Sequence, residues 1–481
     1  MGTTSTAGVE IEQMTDAGES QDGGGAAGLP RLLEGVPAQG AMSLQAHLDI
    51  HGEPPPARRR DRRGAAALID QIEQAGLGGR GGAGFPLARK MRGVAEGKGK
   101  PIVLVNATEG EPASLKDRTL LETLPHLVLD GATLAARALG AEEAILCVCE
   151  SASTAQERAA AAIAEREQLQ GHWARVALAT APEGYVVGQE SALVNHLNGG
   201  EAKPTFTPPA PYQRGVRRRP TLVSNAETLA HVALIARHGA RWFRQLGLSE
   251  QPGSTLITLS GPLAYPGVYE VEFGASLASL IEAAGGIKAR VRGALFGGYA
   301  GSWIEASALS GLALSNPHLA PYGSTLGAGV VALLSEQACP VAEVTRVTRW
   351  LQRQSTGQCG PCVHGLAALA DTLEQAMHGG VHAREATARV EHLSALVARR
   401  GACGHPDGTT RFAISGIEVF AAEFADHAKH GTCDACARAP ELPLPARARV
   451  ARSGADGRTR RRGILEPRDP EGVSKWPNAC A

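Results

Sequence analysis

The stretch PIVLVNATEGEPASLKDR (residues 101–118) predicts a strand that runs into a polar loop. Its first seven residues are predicted to form a buried strand, because an apolar run starts directly after the proline. Asn106, Glu109 and Glu111 follow at the carboxyl end of that strand, which is where ligand-binding loops lie in α/β folds. From this stretch alone, an exposed charged loop without a ligand remains an open alternative.

Strands and helices alternate on both sides of this stretch. Further strands are predicted at AILCVCE (144–150) and VALAT (176–180). Helices are predicted at 65–74, 125–139 and 154–168, and another begins at Glu190. Such alternation predicts an α/β domain with a largely parallel sheet, here from 65 to 247.

The pattern changes after this domain. Short strands and one helix between 253 and 337, among them TLITLSG and GVYEVEFG, predict a small β-grasp-like domain. Apolar residues at spacings of three and four predict a helical bundle from 341 to 437. Residues 1–64 are expected to be a disordered tail and a Pro/Arg linker, and 438–481 a flexible Pro/Arg-rich tail.

Composition excludes several functional classes. The 481 residues carry 48 Lys+Arg and 48 Asp+Glu, so no strong field favours nucleic acid or a membrane surface. Aromatic residues are only 4%, too few for extended base stacking. Because no transmembrane run or signal peptide is recognisable, a cytoplasmic protein is expected. In that compartment the nine cysteines are better explained as thiols or metal ligands than as disulfides.

The segment GLGGRGGAGFP (76–86) gives the strongest flavin or nucleotide signal. Gly79, Gly81 and Gly84 match GxGxxG, but the segment follows a helix, whereas the dinucleotide fingerprint follows a strand. An ordinary Rossmann motif is therefore rejected. Successive glycines still expose backbone N–H groups to a phosphate or a flat ring, and Arg80 supplies a suitable charge. A plain flexible turn is the alternative.

Two further loops lead into helices. In EGYVVGQESALVNHLNG (183–199), Gly188 precedes the predicted helix start at Glu190. In PTLVSNAETLAHV (220–232), Asn225 and Glu227 open an apolar helix. Taken singly, each loop is explained by helix capping.

The metal signal is STGQCGPCVHG (355–365), with Cys403 downstream. Two cysteines three positions apart, Cys359 and Cys362, form a common chelating step, and Cys403 supplies a third thiolate. A second such step, Cys433 and Cys436, could supply a fourth cluster ligand, bind zinc or remain two lone thiols. Among the other cysteines, Cys147 and Cys149 are expected in the core, while Cys339 and Cys480 show no obvious partner.

These motifs, in this order, resemble the NADH-binding flavoprotein subunit of respiratory complex I and its relatives in NAD-reducing hydrogenases and formate dehydrogenases. The resemblance covers about 65 to 430. It rests on GRGGAGFP, the N-A-x-E-G-E-P run at 106–112, G-x-E-S-A-L at 188–193, N-x-E-T-L-A at 225–230 and the cysteine segment. It implies an FMN domain, a soluble-ligand-binding β-grasp module and a C-terminal bundle with a [4Fe–4S] cluster.

The resemblance also implies roles for individual residues. Two of them, Glu190 and Glu111, would orient the nicotinamide nucleotide, together with Phe85. Three cluster ligands would be Cys359, Cys362 and Cys403. The FMN set would be Gly79, Arg80, Gly81, Lys90, Asn106, Glu109, Gly188 and Asn225, with Gly82 and Gly84 of the same loop.

Several positions depart from the family pattern. Thr356 stands where the family has the first cluster cysteine, which leaves a [4Fe–4S] or a [3Fe–4S] cluster open. Met91 and Gly93 replace aromatics, and Thr207 and Ala210 occupy the places of a lysine and a phenylalanine that hold NADH. Each lost aromatic stack costs about 0.5–1.5 kcal/mol beyond buried area, so NADH binding is expected to be weakened by up to roughly a few hundredfold. The FMN loops also differ, with Thr108 for Asp, Gln189 for Glu and Ser224 for Asn.

The resemblance implies electron transfer from a nicotinamide cofactor through FMN to an iron–sulfur cluster, with other electron-transfer subunits, complex I-like or ferredoxin-like, as partners. Neither nucleic acid nor membrane insertion is expected. One alternative keeps this build with a donor other than NADH, such as a ferredoxin. Another is a redox-inactive relative retained for assembly or ligand binding.

Overall fold

The computed structural model describes residues 28–55, 62–168, 174–381 and 383–445. Its first half is a mixed α/β region in which helices flank a sheet. The strands are β1 Ile102–Ala107, β2 Glu143–Cys149, β3 Arg175–Ala181 and β4 Thr221–Asn225. The helices are α1 Leu44–His51, α2 Arg62–Ala75, α3 Leu87–Ala95, α4 Lys116–Thr123, α5 Pro125–Leu139, α6 Ser153–Glu167, α7 Glu190–Leu197, α8 Ala226–His238 and α9 Ala240–Phe243.

The four strands are all parallel, in the order β3-β2-β1-β4, which confirms the predicted parallel sheet. The central strand β1 is almost wholly buried, as its run of β-branched and leucine residues requires. Helix α5 begins with a proline and ends at Gly140 in the left-handed conformation, two ordinary helix-boundary signals. Sheet and helices enclose a large apolar core.

A second, five-stranded sheet follows, in the order β6-β5-β9-β7-β8. Its β5–β9 pair is parallel and the other pairs are antiparallel. The elements are β5 Ser254–Ser260, β6 Gly267–Glu272, α10 Leu277–Ala283, β7 Val291–Phe296, β8 Ser302–Glu305, α11 Asn316–Leu319 and β9 Val330–Ser335. Apolar residues of α10, including Leu277 and Leu280, pack in one core with those of the strands.

The last described part is helical, as expected. It comprises α12 Pro340–Arg353, a π-helical turn at Pro361–Leu366, α13 Ala367–His378, α14 Ala386–Val397, α15 His405–Val419 and α16 Ala421–His430. Within the described ranges, no helix is both long and apolar enough to cross a bilayer.

Part of the amino-terminal stretch differs from the disordered tail and linker predicted for 1–64, of which 1–27 and 56–61 lie outside the described residues. Residues 28–55 include α1 and the buried side chains of Leu32 and Met42. The reason is a long-range contact: the Glu270 carboxylate accepts hydrogen bonds from the backbone N–H groups of Arg31, Leu32 and Leu33. At the other end, Leu442 lies within the tail predicted for 438–481 and is buried, and the part of that tail from 446 onward lies outside the described residues.

Candidate functional site

The parallel sheet reverses its strand order beside β1. The chain runs outward from β1 to β2 and β3, and then places β4 on the opposite side of β1. In such sheets ligands bind in the crevice outside the carboxyl ends of the two strands at the switch point. Asn106 and Asn225 are register partners at these two ends, so the topology brings two of the predicted flavin residues together.

The two asparagines hold the neighbouring loops in place. Asn106 Nδ2 donates to the Gly188 carbonyl at 2.8 Å, and its Oδ1 accepts from the Thr108 hydroxyl at 2.8 Å. Asn225 is the N-cap of α8, where its Oδ1 accepts from the Glu227 backbone N–H at 3.1 Å. The segments around 106, 188 and 225, predicted separately, therefore meet at one place.

A buried cation lies beneath this crevice. Lys116 Nζ lies 2.8 Å from Asp117 Oδ1, 3.0 Å from Glu227 Oε2 and 3.1 Å from Asn225 Oδ1. Burial alone would lower the pKa of Lys116, but Asp117 and Glu227 raise it above its ordinary value. The ammonium therefore stays charged, and Asn225 is held from below by a fixed ion cluster.

The glycine-rich loop covers Asn225. It connects α2 to α3, so it follows a helix, as the sequence indicated, and Gly79 N donates to the Phe85 carbonyl at 2.9 Å to close it. A Cβ at Gly81 would stand 3.3 Å from Asn225 Cβ, and Gly84 adopts a φ of 63°. These contacts explain the glycines and give the crevice a wall of bare backbone.

Arg80 points away from this wall into the protein. Its guanidinium donates to the Ser254 carbonyl at 3.1 Å and lies over the Phe273 ring at 4.5 Å. Burial, opposed by Glu227, lowers the pKa of Arg80 to about 10. Its backbone N–H donates to Thr228 at 2.8 Å, so the residue fastens the loop to α8 and to the second sheet.

The two predicted carboxylates after β1 occupy different surroundings. Glu109 accepts from the backbone N–H groups of Asp117 and Arg118, both at 2.9 Å, and so caps the start of α4. Burial, followed by the nearby Asp117, raises the pKa of Glu109. Glu111 accepts from the Tyr299 N–H at 2.7 Å, in the loop after β7. Burial raises the pKa of Glu111 to about 7 although hydrogen bonds favour its charged form.

Lys90 and Glu190 form an ion pair beside the same crevice. Lys90 Nζ also donates to the Val223 carbonyl at 3.0 Å, which places α3 against β4. The Glu190 side chain keeps 43% of its surface exposed, and its helix α7 is capped by Gln189. A carboxylate that is both paired and accessible can accept a hydrogen bond from a ligand.

Exposed aromatics lie on the segments predicted to contact nucleotide. Phe85, Phe206 and Tyr212 keep 44%, 95% and 41% of their surfaces exposed. Gly93, which stands for an aromatic in the family pattern, faces the Tyr212 ring: a Cβ there would lie 3.2 Å from Tyr212 Cδ2. Tyr212 thus lies beside Gly93 and supplies an aromatic face there that the sequence analysis did not identify.

The three predicted cluster cysteines converge. The Cys362 thiol is buried in the π-helical turn, and Cys359 and Cys403 both lie within electrostatic reach of it. Burial, then the neighbouring Cys359, raises the pKa of Cys362 to about 12. A bound cation would relieve this opposition to thiolate formation, so the donor set fits an iron–sulfur group. The Thr356 hydroxyl donates to Gln358 Oε1 at 3.0 Å.

Side chains connect the crevice with the cysteine loop. Tyr185 hydrogen-bonds to Glu111 and lies 5.5 Å from the Trp350 ring and 5.5 Å from the His405 ring, centroid to centroid. Gln354 Oε1 accepts from the Tyr185 N–H at 3.0 Å. The loop between Gln354 and Cys359 is therefore held against the segment that precedes Gly188.

Two residues near a second cysteine site and two strands do not follow from the sequence patterns. Cys339, for which no partner is expected, contacts His427 and Cys436, and the strands β4 and β8 are not among the predicted ones. The cysteine count and the Cys433–Cys436 spacing were signals for a second thiol site. No local pattern links Cys339 to His427, because 88 positions separate them.

Comparison with known proteins follows the same division of the chain. Residues 72–234 match the family model for the Nuo51 FMN-binding domain, and 342–427 match that for the NADH-ubiquinone oxidoreductase-F iron–sulfur binding region. The chain is 32% identical over 379 residues to the second NADH-quinone oxidoreductase F subunit of Rhizobium meliloti, covering 76% of this chain and 90% of the relative. It is 30% identical to the NADH-quinone oxidoreductase F subunit of Streptomyces coelicolor, covering 75% and 82%.

A solved structure has the same fold. The crystal structure of a NAD+-reducing [NiFe]-hydrogenase in the H2-reduced state superposes with a TM-score of 0.70 at 30% identity. The match covers 80% of this chain and 67% of the hydrogenase chain.

Proposed function

Because the chain belongs to the F-subunit family of NADH-quinone oxidoreductases, we propose that it is an oxidoreductase subunit that passes electrons from a nicotinamide cofactor through FMN to an iron–sulfur cluster. One observation carries this proposal: Asn106 and Asn225 lie side by side at the switch point of the parallel sheet, under a wall of glycine backbone. When bound there, FMN would supply the exchange between two-electron and one-electron chemistry.

The residues of the crevice have distinct tasks in this proposal. Gly79, Gly81, Gly82 and Gly84 form the wall for the flavin, and Asn106, Gly188 and Asn225 hold its floor. Arg80 and Glu109 hold the surrounding loops through buried contacts, as their hydrogen bonds support. Lys90 and Glu190 face the ligand from the opposite side, with Glu111 and Phe85 toward the nicotinamide nucleotide.

The cluster ligands in this proposal are Cys359, Cys362 and Cys403. Two finer assignments belong with it: the five-stranded sheet with α10 as a β-grasp module, and α12–α16 as an iron–sulfur bundle. Both are supported by the mixed sheet order and by the shared core of these helices. The curated relatives are named as subunits of NADH-quinone oxidoreductase, which supports other electron-transfer subunits as partners.

A second function keeps the flavin and the cluster but uses a donor other than NADH. The observations that favour it are Thr207 and Ala210, in the places of the lysine and phenylalanine that hold NADH in the family. Tyr212 beside Gly93 favours the first function, because it restores one aromatic face. Reduction by NADH therefore separates the two candidates.

FMN content of protein purified without oxygen tests the proposal. We expect about one FMN per chain, released on denaturation and identified by mass spectrometry. Asn225→Ser keeps a helix-capping hydroxyl but lacks the amide, so it should lose most of the FMN without unfolding α8. Asn195→Ala, at the far end of α7, is the control and should retain FMN. Colourless wild-type protein would overturn the flavin assignment and favour a redox-inactive relative.

A further inference from the structure

A second group of potential metal ligands, separate from Cys359, Cys362 and Cys403, lies close together. It consists of Cys339, His427, Cys433 and Cys436, whose four ligand atoms all lie within 4.8 Å of one another. Cys339 Sγ is 3.4 Å from His427 Nε2 and 3.4 Å from Cys436 Sγ. Cys436 Sγ is 3.8 Å from Cys433 Sγ and 4.0 Å from His427 Nε2.

These four separations, 3.4–4.0 Å, are close to those of a single coordination tetrahedron. With Zn–S of about 2.3 Å and Zn–N of about 2.0 Å, tetrahedral angles place neighbouring ligand atoms about 3.5–3.8 Å apart. In a cubane each cysteine binds a different iron, so its thiol sulfurs stand farther apart. We propose that Cys339, His427, Cys433 and Cys436 bind one Zn²⁺ in a Cys3His site.

The histidine is oriented for this role. His427 Nδ1 lies 3.0 Å from the Met377 carbonyl oxygen, which can only accept a hydrogen bond, so the proton belongs on Nδ1. Nε2 then presents its lone pair toward Cys339 and Cys436. This arrangement, with the second ring nitrogen bound to a backbone carbonyl, is the usual support of a metal-bound histidine.

Three separate parts of the chain supply the ligands. Cys339 is the N-cap of α12, where the Ala342 N–H donates to its sulfur at 3.4 Å and fixes its position. His427 lies in the last turn of α16, and Cys433 and Cys436 follow it as a two-residue-spaced chelating step. Four protein ligands leave no open position, which makes the site structural rather than catalytic.

The site fastens the last described segment to the rest of the protein. Beyond Cys436, the Glu441 N–H donates to Glu343 of α12 at 2.8 Å, and the Glu441 carboxylate accepts from the Ser335 N–H at 2.9 Å. The Pro443 carbonyl accepts from the Tyr299 hydroxyl at 2.5 Å. Tyr299 also binds Glu111, so zinc would stabilise the packing behind the predicted nucleotide site.

Metal analysis of the anaerobically purified, full-length chain tests the proposal. We expect about one zinc per chain in the wild type. His427→Ala and Cys433→Ser should lose at least tenfold in zinc content. His430→Ala, three positions along the same helix, and Cys149→Ser are matched controls that should retain it. Iron content should be unchanged in Cys433→Ser, whereas Cys362→Ser should lose iron and keep zinc.

Cobalt provides a readout on the wild type that does not depend on how the variants fold. Replacement of zinc by Co²⁺ should give the intense visible bands of tetrahedral cobalt and thiolate charge-transfer absorption. Chelation should lower the melting temperature by several degrees. A zinc content that is low and equal in wild type and His427→Ala, or a loss of iron in Cys433→Ser, would overturn the proposal. So would a Cys433–Cys436 disulfide in freshly purified protein. None of these outcomes depends on flavin binding.

Discussion

Gly81 is the residue on which the shape of the crevice depends most directly. Its Cα lies so close to Asn225 that even a Cβ would be 3.3 Å from the Asn225 Cβ. Only hydrogen leaves the backbone accessible to a flat ligand at this position. The ion cluster of Lys116, Asp117 and Glu227 beneath Asn225 prevents the asparagine from yielding.

Gly81→Leu is therefore expected to remove FMN while the protein stays folded. The leucine side chain would press on Asn225, a residue of the proposed flavin floor, so the flavin-to-protein absorbance ratio should fall at least tenfold. Gly311→Leu, at a glycine with open space around it, should retain the flavin. Full flavin occupancy in Gly81→Leu would show that the ligand does not lie against this loop.

Glu111 should make stability depend on pH. Burial raises its pKa from 4.5 to about 7 in the folded protein. Because the folded pKa is the higher one, the stability from this group is complete below about pH 4.5 and is lost as pH rises toward about 7. From this group alone, the free energy of unfolding should fall by up to about 3 kcal/mol across that window.

Glu111→Gln should flatten that dependence. Urea denaturation at about pH 5 and about pH 8 gives the difference between variant and wild type. Glu157→Gln, on the exposed face of α6, is the control and should leave the wild-type slope unchanged. Parallel pH profiles for Glu111→Gln and wild type would show that Glu111 is ionised throughout.

At the scale of elements, we expect the segment before Tyr212 to determine the affinity for NADH. It contains Thr207 and Ala210, and its carbonyl at Pro204 accepts from Gln358 Nε2 of the cysteine loop at 3.0 Å. This contact holds the segment near the cysteine loop. The aromatic side chains of this region, Phe206 and Tyr212, are exposed. We expect NADH to reduce the flavin only at high concentration.

Ala210→Phe should therefore raise the apparent affinity for NADH by roughly two- to tenfold, since one aromatic stack contributes about 0.5–1.5 kcal/mol beyond buried area. Stopped-flow bleaching of the flavin measures this change, with Ala210→Leu as a control for added apolar volume. The expectation is wrong if flavin bleaching in the wild type already saturates at low NADH concentration. It is also wrong if Ala210→Phe and Ala210→Leu change the apparent affinity for NADH equally.

We expect the loop before the π-helical turn to determine how many irons the cluster holds. A threonine hydroxyl is a poor iron ligand, so the iron nearest Thr356 should be labile. We expect air-oxidised wild type to show the EPR signal of a [3Fe–4S] cluster, and Thr356→Cys to replace it with a stable four-iron spectrum. Thr356→Ser is the control and should behave as wild type. Four irons that survive air in the wild type would contradict this.

In the molecule as a whole, some features can be predicted from local sequence patterns. Strand β1, helix α5 and the start of α7 follow from local apolar periodicity and from proline, glycine and capping residues, and they were predicted closely. The glycine loop and the cysteine segment were identified by residue type and spacing. These features depend on residues that are neighbours in the sequence, so they can be predicted from a single sequence.

Other features depend on contacts between distant segments. Arg80 would be expected at the surface because it is charged. Its guanidinium is buried because it contacts the Ser254 carbonyl and the Phe273 ring in the region of the second sheet. Leu32 belongs to a low-complexity stretch but is ordered by Glu270. Cys339 meets His427 only after α12 and α16 have packed. No local pattern encodes these contacts.

In the whole molecule, we expect flavin and cluster to form one electron path, from the crevice at β1 and β4 past Tyr185 to the cysteine loop. The most direct measurement is the absorption spectrum of anaerobic protein titrated with excess NADH. We predict that the flavin band bleaches and that the broad iron–sulfur absorbance falls with it. Protein without flavin, or a bleached flavin beside unchanged iron–sulfur absorbance under these conditions, would contradict the account.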